Sequence, residues 1–297
     1  MATSRPERPT LTLSQDGPPL IMGVLNATPD SFSGDGLLAV EALVARGEEQ
    51  VRTGAAILDL GGESTRPGAQ PVPAAEELAR VLPPLRHLVT RVRVPLSIDT
   101  QKPVVADQAL AAGACVLNDV SGLRDPELAA VAARHAAWLV LTHNRWTARP
   151  AQDRLGGYYP TAGTGDVVEE VVAGLTHLAE QAIRAGVPKQ RLIADPGLGF
   201  GKSPAESLEL LRRLEELRRR LAPLPLLVGP SRKSFVGRAL GLPVNERLEG
   251  TLACVALAAF AGAAIIRVHD VLPAVRAARM GWALRLGKDA PLIAEPA

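Results

Sequence analysis

Residues 95–119 read PLSIDTQKPVVADQALAAGACVLND. A short apolar run ends on Asp99, a helix-length stretch follows, and a second apolar run ends on Asn118 and Asp119. The middle stretch predicts a short helix over 104–112. Short apolar runs without polar alternation are how strands buried on both faces read, and the interval suits the crossover of a parallel pair.

The same unit recurs in both directions along the chain. Upstream lie LIMGVLN (20–26), ending on Asn26, and AAILDL (55–60), which holds Asp59. Downstream lie WLVLTH (138–143), LIAD (192–195), PLLVGPSRK (225–233) and AIIRVH (264–269). Eight such runs predict an α/β fold, a (β/α)8 barrel with chemistry at the carboxyl ends of its strands. Helices are expected over 39–53, 74–89, 126–136, 166–185, 206–221, 246–261 and 271–286. The last two are rich in Ala and suit close packing or a subunit contact. Residues 1–19 are polar and Pro-rich, so they are expected to form an extension, flexible or a short hairpin over the barrel floor. Residues 20–297 then form one catalytic barrel.

The chain's 297 residues match the size of one such barrel. Hydrophobic residues make up 47% and aromatics 3%, so the core is expected to be aliphatic. A net charge of +2 gives no reason to expect nucleic acid or a membrane surface as partner. No run approaches 18 apolar residues, no apolar signal core opens the chain, and the two cysteines stand in separate apolar contexts. A cytoplasmic location is therefore expected.

Candidate chemistry sits at the ends of the runs. ADPGLGFGKS (194–203) places Asp195 before a Gly-rich turn, where a carboxylate can accept two parallel N–H bonds from a guanidine-like edge. The alternative is a helix cap or a loop-stabilising Asp. The Lys and Ser here do not have Walker spacing. GPSRKSF (229–235) offers Ser231, Arg232, Lys233 and Ser234 to an anionic or carbonyl-bearing ligand, or else forms a solvated turn. In RVHD, alternation points Arg267 and His269 to one face of the last strand, where such barrels often hold phosphate. Asp99 and Asn118 read either as ligand contacts or as a polar plug of the core. Asp59 and Asp119 read as structural, bonded to loop amides, and His143 is open between ligand contact and a structural role. NATPDSFSGDG (26–36) and GGESTRPGAQPVP (61–73) read as mobile lids. No cluster has the spacing of a structural metal site, and no dinucleotide fingerprint or Ser-His-Asp arrangement stands out.

Taken in order, NATPDSFS, ESTRPGA, SIDT, NDVSG, ADPGLGFGK, SRKSF and RVHDV closely resemble the dihydropteroate synthase family. The resemblance covers nearly all of the chain from Leu20 onward. It implies a transferase of folate biosynthesis that joins 7,8-dihydropterin-6-ylmethyl diphosphate to 4-aminobenzoate, assisted by Mg2+, with diphosphate as the second product. By motif, Asp195, Asn118 and Asp99 would hold the pterin, Lys233 its carbonyl and ring nitrogen, and Arg267 its face and the diphosphate. His269 and Asn26 would complete the diphosphate site, with Asn26 also a Mg2+ ligand. Thr65, Arg66, Pro67, Phe200, Lys233 and Ser234 would shape the aminobenzoate pocket, where sulfonamides would compete. A homodimer through the late helices is also implied.

Two positions depart from the family pattern. Thr142 stands where Met is frequent, and SFSGDG replaces SFSDGG around Asp35. The expected chemistry is an SN1-like substitution without a covalent enzyme intermediate. Two rival readings are a methyltetrahydrofolate:corrinoid methyltransferase, which lacks the ESTRPG and SRKSF pair, and a catalytically silent pterin-binding paralogue.

Overall fold

The computed structural model describes residues 10–13, 17–27, 36–64, 68–146 and 165–291. Eight parallel strands form the sheet: β1 (Leu20–Asn26), β2 (Ile57–Gly61), β3 (Leu96–Asp99), β4 (Val116–Asp119), β5 (Trp138–Thr142), β6 (Leu192–Asp195), β7 (Leu227–Val228) and β8 (Ile265–Val268). Each pairs with its sequence neighbours, and β8 returns to β1. The last gap is bridged where Ala194 meets Leu226, with Ala194 N–H donating to Pro225 O at 2.9 Å. The expected α/β barrel is therefore the observed fold.

Period two sorts every strand into an inner and an outer row. Met22, Ile57, Val116, Val140, Ile193, Leu227 and Ile265 fill the lower barrel as one buried cluster. Leu11 is buried in that cluster, so the segment before β1 meets the barrel floor, although residues 10–13 form no strand. The outer row, including Leu25, Leu58, Ile98, Leu117, Leu139 and Ile266, packs under the helices. Branched and aliphatic side chains on both rows fit a sheet with no wet face.

The helices around it are α1 (Gly36–Arg52), α2 (Ala74–Arg91), α3 (Pro103–Ala112), α4 (Glu127–Arg134), α5 (Val167–Arg184), α6 (Pro204–Arg212), α7 (Leu214–Leu221), α8 (Ser234–Leu240), α9 (Leu248–Phe260) and α10 (Val271–Leu286). Local chemistry sets several of their starts. Asp166 caps α5 by accepting from Val168 N–H at 2.8 Å, and Ser203 with Glu206 forms a reciprocal capping box on α6.

The single helix expected over 206–221 is broken into α6 and α7. Arg213 leaves helical geometry at φ −103° and ψ 25°, and its guanidinium binds both Asp166 and Glu216. The short helix α8, which begins at Ser234, was not expected from the sequence. No helix among the described residues is long and apolar enough to cross a membrane.

Candidate active site

The inner row changes character at the carboxyl end of the barrel. The residues that continue it upward are Asn26, Asp59, Ser97, Asp99, Asn118, Thr142, Asp195 and Arg267, as the strand registers require. Polar groups therefore replace aliphatic ones toward the carboxyl ends of the inner row, on strands far apart in sequence.

Arg267 organises the side nearest β1. Its Nε donates to Asp59 Oδ2 at 2.6 Å and its Nη2 to Asp99 Oδ2 at 2.7 Å. Asn118 Nδ2 also donates to Asp59 Oδ2, at 3.0 Å. Burial opposes the charge on Arg267, but the two carboxylates more than offset it and hold the guanidinium protonated. Asp99 is pushed up to about 7, first by burial and then by the charge of Asp59, against the pull of Arg267. Asp59 Oδ1, Asn118 Oδ1 and Ser97 Oγ are buried without a hydrogen-bond partner among the described residues. Buried polar atoms are nearly always satisfied, so unpartnered ones in a cavity mark where a ligand's donors belong.

The sequence reading of Asp59 is corrected here. It is fully buried and pairs with Arg267 and Asn118, not with loop amides. Asp119 behaves as expected. It lies on the outer row and accepts from Ser121 N–H at 2.8 Å and Leu123 N–H at 2.6 Å.

Asp195 organises the opposite side. Oδ1 accepts from Gly197 N–H at 2.8 Å, and Oδ2 lies 3.4 Å from Thr142 Oγ1. Burial raises its pKa, while the Gly197 amide and the Lys233, Lys202 and Arg267 cations oppose the rise. Thr142, at the departing position, thus supplies a hydroxyl to the carboxylate from a fully buried site. Lys233 Nζ sits 3.9 Å over the Phe200 ring, and Phe200 meets Trp146 edge-on at 5.2 Å. Burial brings the Lys233 ammonium down to about 8.

The SRK turn is held from below. Arg232 adopts a left-handed φ of 59° and forms a bidentate pair with Asp270. The buried Arg247 donates to the carbonyls of Arg232 and Lys233. Ser231 Oγ lies 3.0 Å from His269 Nδ1 and accepts from His269 N–H at 3.2 Å, which ties the seventh and eighth strand ends together.

His143 is not in the cavity. It falls one residue past the inward Thr142, so its ring packs outward on Gly174 of α5, where a Cβ would come within 2.5 Å of it. Burial and the nearby Lys202 cation push its pKa down to about 3, so it is neutral. Thr65, Arg66, Pro67 and Asp35 lie outside the described residues, as do residues 28–35 of the first expected lid and 65–67 of the second.

Residues 22–269 match the model of the pterin binding enzyme family. The chain is 40% identical to the dihydropteroate synthase of Bacillus subtilis over 263 residues, 88% of this chain and 87% of that one. The chain belongs to the dihydropteroate synthase family. Members are enzymes, transferases of folate biosynthesis. The dihydropteroate synthase of Clostridium difficile, solved with pteroic acid, superposes with a TM-score of 0.82 at 40% identity, covering 93% of this chain and 99% of that one. That of Xanthomonas albilineans, solved with 4-aminobenzoic acid, gives 0.81 at 42% identity, covering 91% and 94%. The residues whose place in the site the sequence did not mark are Asp59, Lys202 and Arg247. Each is a charged side chain buried by partners distant in sequence or by loop carbonyls.

Proposed function

We propose that this chain condenses 7,8-dihydropterin-6-ylmethyl diphosphate with 4-aminobenzoate to give 7,8-dihydropteroate and diphosphate. The observation that carries the reading is the ring of inward polar groups at the barrel mouth, with Asp195 facing the Arg267–Asp59–Asp99 cluster and Asn118 Oδ1 unpartnered. The pterin's amino-pyrimidine edge carries several N–H donors. Asp195, Asn118 and Asp99 supply the acceptors, and Lys233 supplies a donor for the pterin carbonyl and ring nitrogen.

The carbon–oxygen bond to diphosphate breaks first, and its electron pair leaves with the diphosphate. Arg267 and His269, with Asn26 on the neighbouring strand end, take up that developing charge. The methylene cation that remains is delocalised into the pterin, and the buried carboxylate of Asp195 favours it electrostatically. The aminobenzoate nitrogen then bonds to the methylene carbon and releases one proton to water. An arylamine is nucleophilic as it stands, so the reading requires no strong enzymatic base. Phe200, Lys233 and Ser234, with Thr65, Arg66 and Pro67 from the segment after β2, are proposed to seat the aminobenzoate.

Among the described residues no group of three His, Cys, Asp or Glu side chains converges as a metal site. Asn26 offers one hard oxygen donor on the inner row at the mouth. That donor set fits a Mg2+ ion that draws its other ligands from diphosphate and water. Bound there, Mg2+ would neutralise charge on the leaving group.

We further propose a cytoplasmic homodimer. Gly281 of α10 packs so closely on α9 that a Cβ would sit 2.1 Å from Ala256 O. Beyond that contact, Leu257, Phe260, Met280 and Leu284 form an exposed apolar face suited to a second copy. The mass in solution checks this.

The deciding assay follows diphosphate release. Release should require both dihydropterin diphosphate and 4-aminobenzoate. No release from demonstrably folded protein with both substrates present overturns the reading.

A further inference from the structure

We propose that Lys202 is a positioning residue that sets both substrate sites at once by fastening the chain after β5 to the turn after β6. It stands in the Gly-rich turn that follows Asp195, yet it is only 1% exposed. Its Nζ donates to His143 O at 2.8 Å, Gly197 O at 3.0 Å and Phe200 O at 3.3 Å. An ammonium has three protons, and here each has a backbone carbonyl. One carbonyl belongs to the segment after β5 and two to the turn after β6.

The turn needs such a tie. Gly197, Gly199 and Gly201 adopt φ of 66°, 77° and 68°, and glycine reaches these values at the cost of the most freedom lost on ordering. Lys202 pins the turn at the two residues that touch function. Gly197, held by its carbonyl, uses its own N–H on Asp195 Oδ1 and so sets the rotation of that carboxylate. Phe200, held by its carbonyl, carries the ring under Lys233 Nζ and against Trp146. Misplacing either group by a fraction of an ångström changes how the substrates meet. Burial, with Arg145 nearby, brings the Lys202 ammonium down to about 7, while Asp195 and Glu170 favour its charge. Its protons are spent on the backbone and not on Asp195, whose Oδ1 takes the Gly197 amide instead.

The inference rests on the proposed roles of Asp195 and Phe200, so its test must separate the two. Lys202→Gln retains two N–H donors for the three carbonyls, which guards against a variant that does not fold. KM for each substrate, kcat and the thermal midpoint are measured for Lys202→Gln, Phe200→Leu and the double variant. Lys202→Gln should raise both KM values about tenfold, the scale of a small displacement of binding groups. In the Phe200→Leu background it should raise the aminobenzoate KM no further, because the two act as one unit.

Trp146 gives a spectroscopic reading. With Trp138 and Trp282 replaced by Phe, its emission should shift when Lys202 is changed. KM values unchanged alongside a lowered thermal midpoint would make Lys202 an ordinary buried lysine and overturn the inference. An unchanged aminobenzoate KM in Phe200→Leu alone overturns the Phe200 assignment and with it that half of the inference. The other half is still read in the dihydropterin KM. In the unaltered protein, the Lys202 Nζ resonance should exchange slowly with water and move on addition of either substrate. A resonance indifferent to both also overturns it.

Discussion

Arg267 reaches over β1 to place its Nε 2.6 Å from Asp59 Oδ2, joining β8 to β2 across the barrel mouth. Asp59 is fully buried and takes the Asn118 amide on the same oxygen. Asp59→Ala removes one of the two carboxylates that hold Arg267, while Asp99 still faces the guanidinium at 2.7 Å. The loss of a charged hydrogen bond should therefore cost about 1.5–3 kcal/mol of stability. It should also lower kcat/KM for the dihydropterin substrate, since Arg267 and Asn118 both lose their orientation. Urea melts and steady-state kinetics check this. A loss below about 1 kcal/mol, the scale of an exposed pair, would remove Asp59 from the site's framework.

Asp99 makes stability depend on pH in an unusual direction for a carboxylate. Folded, it titrates near 7, because burial and Asp59 outweigh Arg267. Unfolded, it titrates near the ordinary value of about 3.9. The folded chain thus holds this proton more tightly. The contribution of Asp99 is complete below about 3.9 and is lost as pH rises through about 7. Melts at intervals from pH 4 to 8 should show that decline in the unaltered chain, and Asp99→Asn should flatten it. An identical slope in the variant would mean that Asp99 is ionised throughout.

Asp195→Asn keeps the shape of the side chain and its contact with the Gly197 amide. It removes the charge proposed to hold the pterin edge and to favour the cation. Charged hydrogen bonds contribute about 1.5–3 kcal/mol, so dihydropterin binding should weaken about ten- to a hundredfold while the melting transition stays cooperative. Calorimetric titration and a thermal melt read the two effects separately. Wild-type turnover in this variant would show the assignment to be mistaken.

Much of this architecture is legible in the sequence because a barrel strand buries both faces and exposes chemistry at one end. Asn26, Asp99, Asn118, Asp195 and Arg267 were each readable as the polar residue closing an apolar run. Parity carries further than position along the run. Val140 and Thr142 face inward, so His143 faces α5, and counting by two separates it from the site. Other features had no local mark. Asp59 resembles any strand-end carboxylate until Arg267, 208 positions away, folds against it. The break at Arg213 has no Gly or Pro to mark it, and the Asp166 and Glu216 that its guanidinium binds there do not mark it either. Lys202 carries no mark beyond its lack of Walker spacing, because its partners are backbone carbonyls, which composition does not reveal.

Metal removal should separate substrate chemistry from folding. With Asn26 as the one protein donor proposed, Mg2+ is held chiefly by the diphosphate. A chelator should abolish turnover, and added Mg2+ should restore it. Without substrate, the thermal midpoint should be the same with and without the chelator, because a metal that binds the folded chain alone would raise it. A chelator-induced drop in the midpoint of the substrate-free chain would indicate a resident metal site instead.

Gly197 and Gly241 allow the strain of a left-handed residue to be separated from the cost of a crowded one. Both have positive φ, 66° and 72°. Around Gly241 an added Cβ meets nothing within 4 Å, whereas at Gly197 it would lie 2.1 Å from His143 O. Gly241→Ala should therefore cost only the conformational strain, about 1–2 kcal/mol. Gly197→Ala adds overpacking against a backbone atom that no rotamer can relieve, for a total of about 3 kcal/mol or more. The same shift pushes on the carbonyl that Lys202 holds and on the amide that orients Asp195. Gly197→Ala should accordingly weaken dihydropterin binding as well as stability, and Gly241→Ala should leave binding unaltered. Equal losses in both variants, read by urea melts and calorimetric titration, would mean that the turn after β6 yields without disturbing the pocket.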